Sequence, residues 1–327
     1  MEYRRLGRSG LKVSALSFGS WVTFSNQVER ERAEKMLTMA YEAGVNFFDN
    51  AEAYAQGQSE EIMGDVLKRL NFDRDTWCIS SKVYFGRVGK PAPTQKGLAR
   101  KHLVEACEAA LRRLQVDYLD LYFCHRADPE TPVEEVVRTM NHLVAQGKIL
   151  YWGTSEWEAE EIAAAFDSAE RLGLEGPTME QPQYNLFHRR HMEEELAPVF
   201  RDYGIGTTIW SPLASGILSG KYAEGIPEDS RFNVKGYEWL RDMIGSERGR
   251  ARIEAASKIA ALARELDATP AQLALAWCLA NPDVSTVILG ASKPKQLEEN
   301  LGAMAVYERL DESFVERLEK LTESAAE

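Results

Sequence analysis

Cysteine is scarce in this chain, four residues among 327, and Cys78, Cys107, Cys124 and Cys278 form no C-x-x-C pair. All four lie inside apolar stretches, so the sequence indicates neither a disulfide framework nor a zinc site, and a reducing compartment is expected. Long hydrophobic runs are also missing. No segment approaches the ~20 apolar residues of a membrane span, and Met-Glu-Tyr-Arg-Arg at the N-terminus leads into no signal-peptide core. Positive charge is in deficit: 39 Lys+Arg stand against 51 Asp+Glu, a net of -12, which argues against nucleic acid or an anionic membrane surface as partner. Neither G-x-G-x-x-G nor G-x-x-x-x-G-K-[ST] occurs, which removes the usual sequence marks of a Rossmann fold and a P-loop. The expectation is a cytoplasmic protein, monomeric or homo-oligomeric, with no nucleic-acid partner and no membrane insertion.

What is present is a core and a rhythm. Hydrophobic residues make up 44% of the chain, too many for disorder. Short β-rich runs recur at Ala15 to Phe18, Val45 to Phe48, Trp77 to Ser80, Tyr118 to Phe123, Ile149 to Trp152, Thr178 to Glu180, Gly206 to Trp210 and Val284 to Leu289. Between them, apolar residues recur at three and four over Glu31 to Glu42, Glu60 to Leu70, Lys101 to Leu114, Pro132 to Ala145, Glu158 to Leu172, Arg190 to Tyr203 and Arg252 to Leu266. Gly44, Gly147, Gly173 and Gly204 follow helical runs where left-handed C-caps belong. Eight such units without a linker predict one α/β domain over residues 1–327, a closed (β/α)8 TIM barrel, in preference to an open doubly wound sheet with a second domain. Two pieces fall outside the units. Tyr3 to Leu6 and Leu11 to Val13 read as an N-terminal β-hairpin. The stretch from Ser215 to Gly249, with six glycines, reads as a long loop after strand 7 and a functional lid.

In such a barrel the binding and catalytic residues lie just past the C-terminal strand ends. Here those ends carry Asp49 with Tyr54, Lys82, His125, Ser155, Gln181, Trp210-Ser211 and Gly290-Ala291-Ser292. A lysine ammonium close to a tyrosine lowers its pKa from about 10, and Asp49 would keep Lys82 charged and oriented. His125 could fix a carbonyl oxygen near the Tyr54 hydroxyl. The set suits protonation of a developing alkoxide and contains no strong nucleophile, so electrons should come from a cofactor, as in hydride transfer. Taken singly, Asp49 reads as a cap, Lys82 as a surface lysine, Tyr54 as a rim aromatic and His125 as a packed histidine. Four complementary groups on three consecutive strands read as a site.

Other motifs carry less. Gly153-Thr154-Ser155-Glu156-Trp157 lacks the second glycine of a nucleophile elbow. His188 and His191 suit an exposed helix start better than a metal, and no metal is expected. The acidic run Glu193 to Glu195 reads as a solvated first turn that complements the helix dipole.

With these residues in view, the chain resembles the aldo-keto reductases, in the branch that includes the β-subunits of voltage-gated potassium channels and their plant and bacterial relatives. The likeness runs from Tyr3-Arg4-Arg5-Leu6-Gly7 to about Leu310. It rests on Gly19-Ser20-Trp21-Val22-Thr23-Phe24, Phe48-Asp49-Asn50-Ala51-Glu52-Ala53-Tyr54, Ser81-Lys82, Cys124-His125-Arg126, Tyr151-Trp152-Gly153-Thr154-Ser155, Trp210 to Gly216, Ser219 to Tyr222 and Leu289-Gly290-Ala291-Ser292. The resemblance implies that Asp49, Tyr54, Lys82 and His125 form the catalytic tetrad, with Tyr54 as general acid in aldehyde or ketone reduction. It implies that Ser155 and Gln181 hold the nicotinamide carboxamide and that Trp210 stacks on the ring. Ser211, Pro212, Leu213, Ser215 and Lys221 would line the pyrophosphate. Arg231, Gly290, Ser292, Gln296, Glu299 and Asn300 would surround the adenosine, and Ser20, Trp21 and Gln27 would complete the channel.

Animal channel subunits of the branch carry asparagine where this chain has His125 and arginine where it has Glu156, which makes a working reductase the first expectation. A cofactor-sensing regulatory subunit docked on a channel is the alternative, and the branch suggests a tetramer. Gln296 stands where many relatives grip the 2'-phosphate with arginine. Lys221, Arg231, Lys293 and Lys295 could supply that charge, so NADPH is expected ahead of NADH.

Overall fold

The computed structural model describes residues 1–21, 27–223, 225–227 and 244–326, with backbone only for 27–29. Eight parallel strands close into a barrel: β3 (Leu16–Gly19), β4 (Phe47–Asp49), β5 (Cys78–Val83), β6 (Leu119–Cys124), β7 (Ile149–Thr154), β8 (Met179–Glu180), β9 (Gly206–Ile209) and β10 (Thr286–Leu289), with β10 returning to β3. The (β/α)8 expectation holds. So does the hairpin, in which β1 (Tyr3–Arg5) pairs antiparallel with β2 (Lys12–Ser14).

Strand alternation divides each strand between two environments. Leu16, Phe18, Phe48, Ile79, Tyr122, Trp152, Ile209 and Val287 join the outer core beneath the helices. Phe47, Cys78, Leu121, Phe123, Met179 and Ile288 form a separate inner cluster, together with Leu6 and Val13 of the hairpin. The hairpin therefore stoppers the N-terminal end of the barrel. Its turn docks on the start of β9, where Arg8 N donates to Gly204 O at 2.9 Å. The approach requires glycine: Gly7 has φ +57°, and a Cβ there would lie 2.3 Å from Gly206 N. Asn46, just before β4, secures the other side by accepting from Ser14 N at 2.7 Å.

The outer ring contains α1 (Gln27–Glu42), α2 (Gln58–Leu70), α3 (Arg100–Leu114), α4 (Val133–Ala145), α5 (Ala159–Leu172), α6 (Ala197–Tyr203), α7 (Glu247–Arg264), α8 (Pro270–Ala280) and α9 (Pro294–Leu301), followed by α10 (Ala303–Tyr307) and α11 (Glu312–Thr322). In α3, Leu103, Cys107, Ala110, Leu111 and Leu114 are buried on one face, as the spacing predicts. The four C-cap glycines at 44, 147, 173 and 204 all have positive φ. No helix among the described residues is long and apolar enough to cross a membrane.

The fold differs from the sequence reading in several places. The run expected as one helix from Arg190 to Tyr203 begins with a π turn over His191–Glu195 before α6. The acidic run there is not simply solvated: Tyr184 OH donates to Glu193 Oε1 at 2.6 Å, and partial burial raises the Glu193 carboxyl above its usual range. His188 and His191 are half-buried and not exposed as a helix start would leave them. His188 Nε2 lies 3.3 Å from Arg252 Nη1, while His191 Nδ1 pairs with Glu195 at 2.9 Å. Four helices, α8 to α11, were not anticipated. The four cysteines are free and buried, with the Cys78 and Cys107 thiols pushed up to about 12 by burial. Of the expected lid, residues 224 and 228–243 lie outside the described residues.

Candidate active site

The inner-face parity that sends Phe47, Cys78, Leu121, Met179 and Ile288 into the barrel continues upward in polar residues. Asp49 lies two beyond Phe47, Ser80 and Lys82 two and four beyond Cys78, and Gln181 two beyond Met179. Main-chain bonding runs past the strands and fixes their ends. Ser20 N donates to Asp49 O at 3.1 Å, His125 N to Val83 O at 3.0 Å, Ser155 N to Cys124 O at 3.0 Å, Gln181 N to Thr154 O at 2.8 Å and Trp210 N to Pro182 O at 3.1 Å.

These residues meet in one network. Lys82 is fully buried, and its Nζ donates to Asp49 Oδ2 at 2.6 Å, Tyr54 OH at 3.0 Å and Asn50 O at 3.0 Å. Asp49 Oδ1 accepts from Ser80 Oγ at 2.8 Å and from Gln181 Nε2 at 3.2 Å, and Gln181 Nε2 also donates to Thr208 Oγ1 at 3.1 Å. A buried ammonium with this many acceptors stays charged: burial works to lower the Lys82 pKa, but Asp49 and Tyr54 outweigh it and raise it. Tyr54 sits half-buried in a tight turn whose next residues, Ala55 and Gln56, take left-handed φ of 47° and 57°, a strained arrangement of the kind found at functional sites.

The expected lowering of the tyrosine pKa is not what the structure gives. Burial raises Tyr54 by more than Lys82 lowers it, and Asp49 adds to the rise. At neutral pH it is therefore a protonated phenol whose oxygen accepts from the Lys82 ammonium. His125, 8% exposed, is driven well below the usual histidine range by burial, then by Lys82 and Arg126, so its imidazole is neutral. Its ring stands edge-on to Tyr54 at 6.0 Å and to Phe85 at 5.1 Å, and its buried Nδ1 has no hydrogen-bond partner among the described residues.

The other candidate residues line the same rim. Ser20 Oγ donates to Asp49 O at 3.0 Å, and Trp21 follows it, partly buried. Ser155 Oγ donates to Gln181 O at 3.0 Å. Beyond Trp210, left-handed φ recurs at Ser211, Ala214, Ser215 and Gly216. Ser211 is held by Asn185 Nδ2 on its carbonyl at 3.0 Å and bonds Ser215 N at 3.2 Å. Pro212 and Leu213 complete this loop, and a Cβ at Gly216 would come within 3.0 Å of Lys221 Nζ. Past β10, Gln296 Oε1 accepts from Ser292 N at 2.9 Å, Ser292 Oγ at 3.0 Å and Lys293 N at 3.2 Å. Asn300 Nδ2 donates to exposed Gly290 O at 3.5 Å, and Glu299 O accepts from Gln272 Nε2 at 2.9 Å. Arg231 lies outside the described residues, as does the side chain of Gln27, the first residue of α1.

Several residues in this constellation had no role from sequence. Glu156 Oε1 accepts from Trp210 Nε1 at 2.9 Å and from Gln183 N at 2.5 Å, fixing the plane of the half-exposed indole. Beside it, Glu180 is buried under Thr154 and accepts from Glu156 N at 2.6 Å; burial pushes it up to about 8. Ser80 and Thr208 brace Asp49 and Gln181, and inner-face parity could have found both. Arg32 on α1 donates to Ser292 O at 3.3 Å, adding a cation at the β10 edge that only the fold brings there.

An aromatic ring held at a fixed tilt, a neutral imidazole, a phenol wired to a buried ammonium, and a left-handed loop with a lysine beside it form a donor set into which a nicotinamide dinucleotide fits. The model of the aldo/keto reductase family matches residues 15–323. A probable voltage-gated potassium channel subunit beta of Arabidopsis thaliana is 47% identical over 327 residues, covering 99% of this chain and 97% of that protein. A protein of the same description from Oryza sativa subsp. japonica is 48% identical with the same coverage. By barrel, site and sequence together, the chain belongs to the aldo/keto reductase family.

Proposed function

We propose that the protein is an NADPH-dependent reductase of aldehydes and ketones. The observation that carries this reading is the buried chain Asp49–Lys82–Tyr54, closed by a neutral His125. When bound, the reduced nicotinamide supplies the hydride that no side chain here can provide. Tyr54 gives its hydroxyl proton to the oxygen of the substrate carbonyl. Lys82, held cationic by Asp49, stabilises the phenolate left behind, and an N–H of His125 aims the carbonyl oxygen at Tyr54. Ser155 and Gln181 hold the carboxamide end of the cofactor, and Trp210, fixed by Glu156, flanks its ring. Ser211, Pro212, Leu213, Ser215 and Lys221 take the pyrophosphate. Arg231, Gly290, Ser292, Gln296, Glu299 and Asn300 take the adenosine end, and Ser20, Trp21 and Gln27 complete the channel. Lys293, Lys295 and Arg32 supply charge for a 2'-phosphate, which supports NADPH over NADH. Tyr54→Phe should lower kcat with 4-nitrobenzaldehyde by at least ~100-fold, the scale of a lost general acid, while NADPH still binds by fluorescence titration. Near wild-type turnover would remove Tyr54 from the role.

The names of the two plant relatives favour a second reading, a cofactor-binding auxiliary subunit of a channel, assembled as a homo-oligomer such as a tetramer. Steady-state oxidation of NADPH separates the two. Turnover at or below about one per minute, far under the ~1–1,000 s⁻¹ of ordinary enzymes, together with tight cofactor binding, would select the subunit. His125 and the complete proton-donating network support the enzyme.

A further inference from the structure

The rim beside the tetrad carries a cation that the proton-transfer chemistry does not use. Arg126 follows His125 directly, is partly exposed, and donates from Nη1 to the His125 carbonyl. Its guanidinium lies 5.6 Å from the centre of the Phe85 ring, and that ring is 43% exposed. Tyr54, His125, Phe85 and Arg126 thus form a continuous wall, each ring set against the next. Arg126 makes no ion pair among the described residues. Asp128, two residues on, turns its carboxylate to Leu98 N and Thr131 Oγ1, both at 2.7 Å. The charge is felt at the reacting groups, since Arg126 contributes to depressing His125 and works to lower Tyr54.

Building on the reductase reading above, we propose that Arg126 selects substrates: the preferred carbonyl compounds carry a carboxylate, which pairs with the Arg126 guanidinium while the rest of the molecule lies against Phe85. A lone guanidinium matches one carboxylate through two parallel N–H···O bonds. In a chain of net charge -12 the global field repels an anionic substrate, so an arginine at the rim with no ion pair among the described residues is the local feature that would admit one. Phe85 contributes a flat apolar face that a neutral substrate uses equally well, which leaves Arg126 as the discriminating group.

The test compares 3- and 4-carboxybenzaldehyde with their methyl esters, using NADPH and the full-length protein. The ester has the same ring and the same carbonyl without the charge. The expected result is a kcat/KM ratio of acid to ester of about 10 to 100, the range of one charge-assisted hydrogen-bond pair, falling to about one or below in Arg126→Met and partly recovering in Arg126→Lys. Because each ratio is taken within one variant, a general loss of folding or activity cancels. An acid-to-ester ratio near one in the wild type for both isomers, or a ratio unchanged by Arg126→Met, overturns the proposal. Reduction of neither acid nor ester overturns the reductase reading and this inference with it. Equal reduction of both, abolished by Tyr54→Phe, leaves the reductase standing and removes Arg126 from specificity alone.

Discussion

Lys82 and Asp49 form a fully desolvated ion pair, and such pairs are fragile to the loss of one member. Lys82→Met should therefore destabilise by about 3–5 kcal/mol, as expected for an uncompensated buried charge. Adding Asp49→Asn should recover much of that stability while activity stays lost, with denaturant melts and kcat measured on the same samples; equal stability of the single and double variants would contradict the pairing. Glu180 gives a second prediction. Its folded pKa of about 8 lies above the ordinary carboxylate value, so the folded state holds a proton the unfolded state has released. Stability tied to the neutral carboxyl is complete below the ordinary carboxylate pKa, declines as pH rises, and is lost through pH 8. Glu180→Gln copies the neutral acid and should flatten the fall in Tm between about pH 5 and about pH 8; parallel Tm profiles for the two proteins would refute it. Asp49, Lys82, His125, Ser155 and Gln181 were legible in the sequence because strand parity and the C-terminal strand ends select them. Glu156, Glu180 and Arg32 were not, because their partners Trp210, Thr154 and Ser292 come from other units and their meeting is a product of the closed barrel. The sign of the Tyr54 shift was hidden for a similar reason: proximity to lysine can be inferred from order along the chain, but desolvation cannot.

Among the elements, the hairpin and the strands were readable because their alternation and turn residues are local signals. Helix α8 was not, because nearly every one of its residues is buried: Ala271, Leu273, Ala274, Leu275, Ala276, Trp277, Cys278 and Leu279 leave no polar face to mark the period. Its start is fixed locally, with Thr269 capping Gln272 N at 3.2 Å and Pro270 in the first turn. The hairpin offers a direct test of its role as a stopper. In Gly7→Ala the new Cβ would collide with the backbone of Gly204 and Gly206 and hold a left-handed φ that costs about 1–2 kcal/mol in an L-residue. Native-state hydrogen exchange should show faster exchange in β1, β2 and the first residues of β9, with a lower Tm. Exchange unchanged in β9 would mean that the hairpin is an ornament on the barrel and not part of its closure.

At the scale of the molecule, the proposed binding of NADPH by an acidic chain would rest on a few local cations against an opposing field. Screening acts over about 10 Å at 0.1 M salt and about 3 Å at 1 M, so salt should weaken NADPH more than NADH, whose adenosine lacks the extra phosphate. Fluorescence titrations of both cofactors at low and high ionic strength should show the NADPH preference narrowing; identical salt slopes would locate the discrimination elsewhere. The barrel closed at one end by Leu6 and Val13 also has a kinetic meaning. On the proposed reductase reading, a floor sealed by Leu6 and Val13 leaves cofactor and carbonyl compound to reach Tyr54 from the same C-terminal face of the barrel. A carbonyl compound that binds before the spent cofactor has left would then hold it in place, so turnover is expected to fall at high carbonyl concentration, and a rate that stays level would show that the two leave independently.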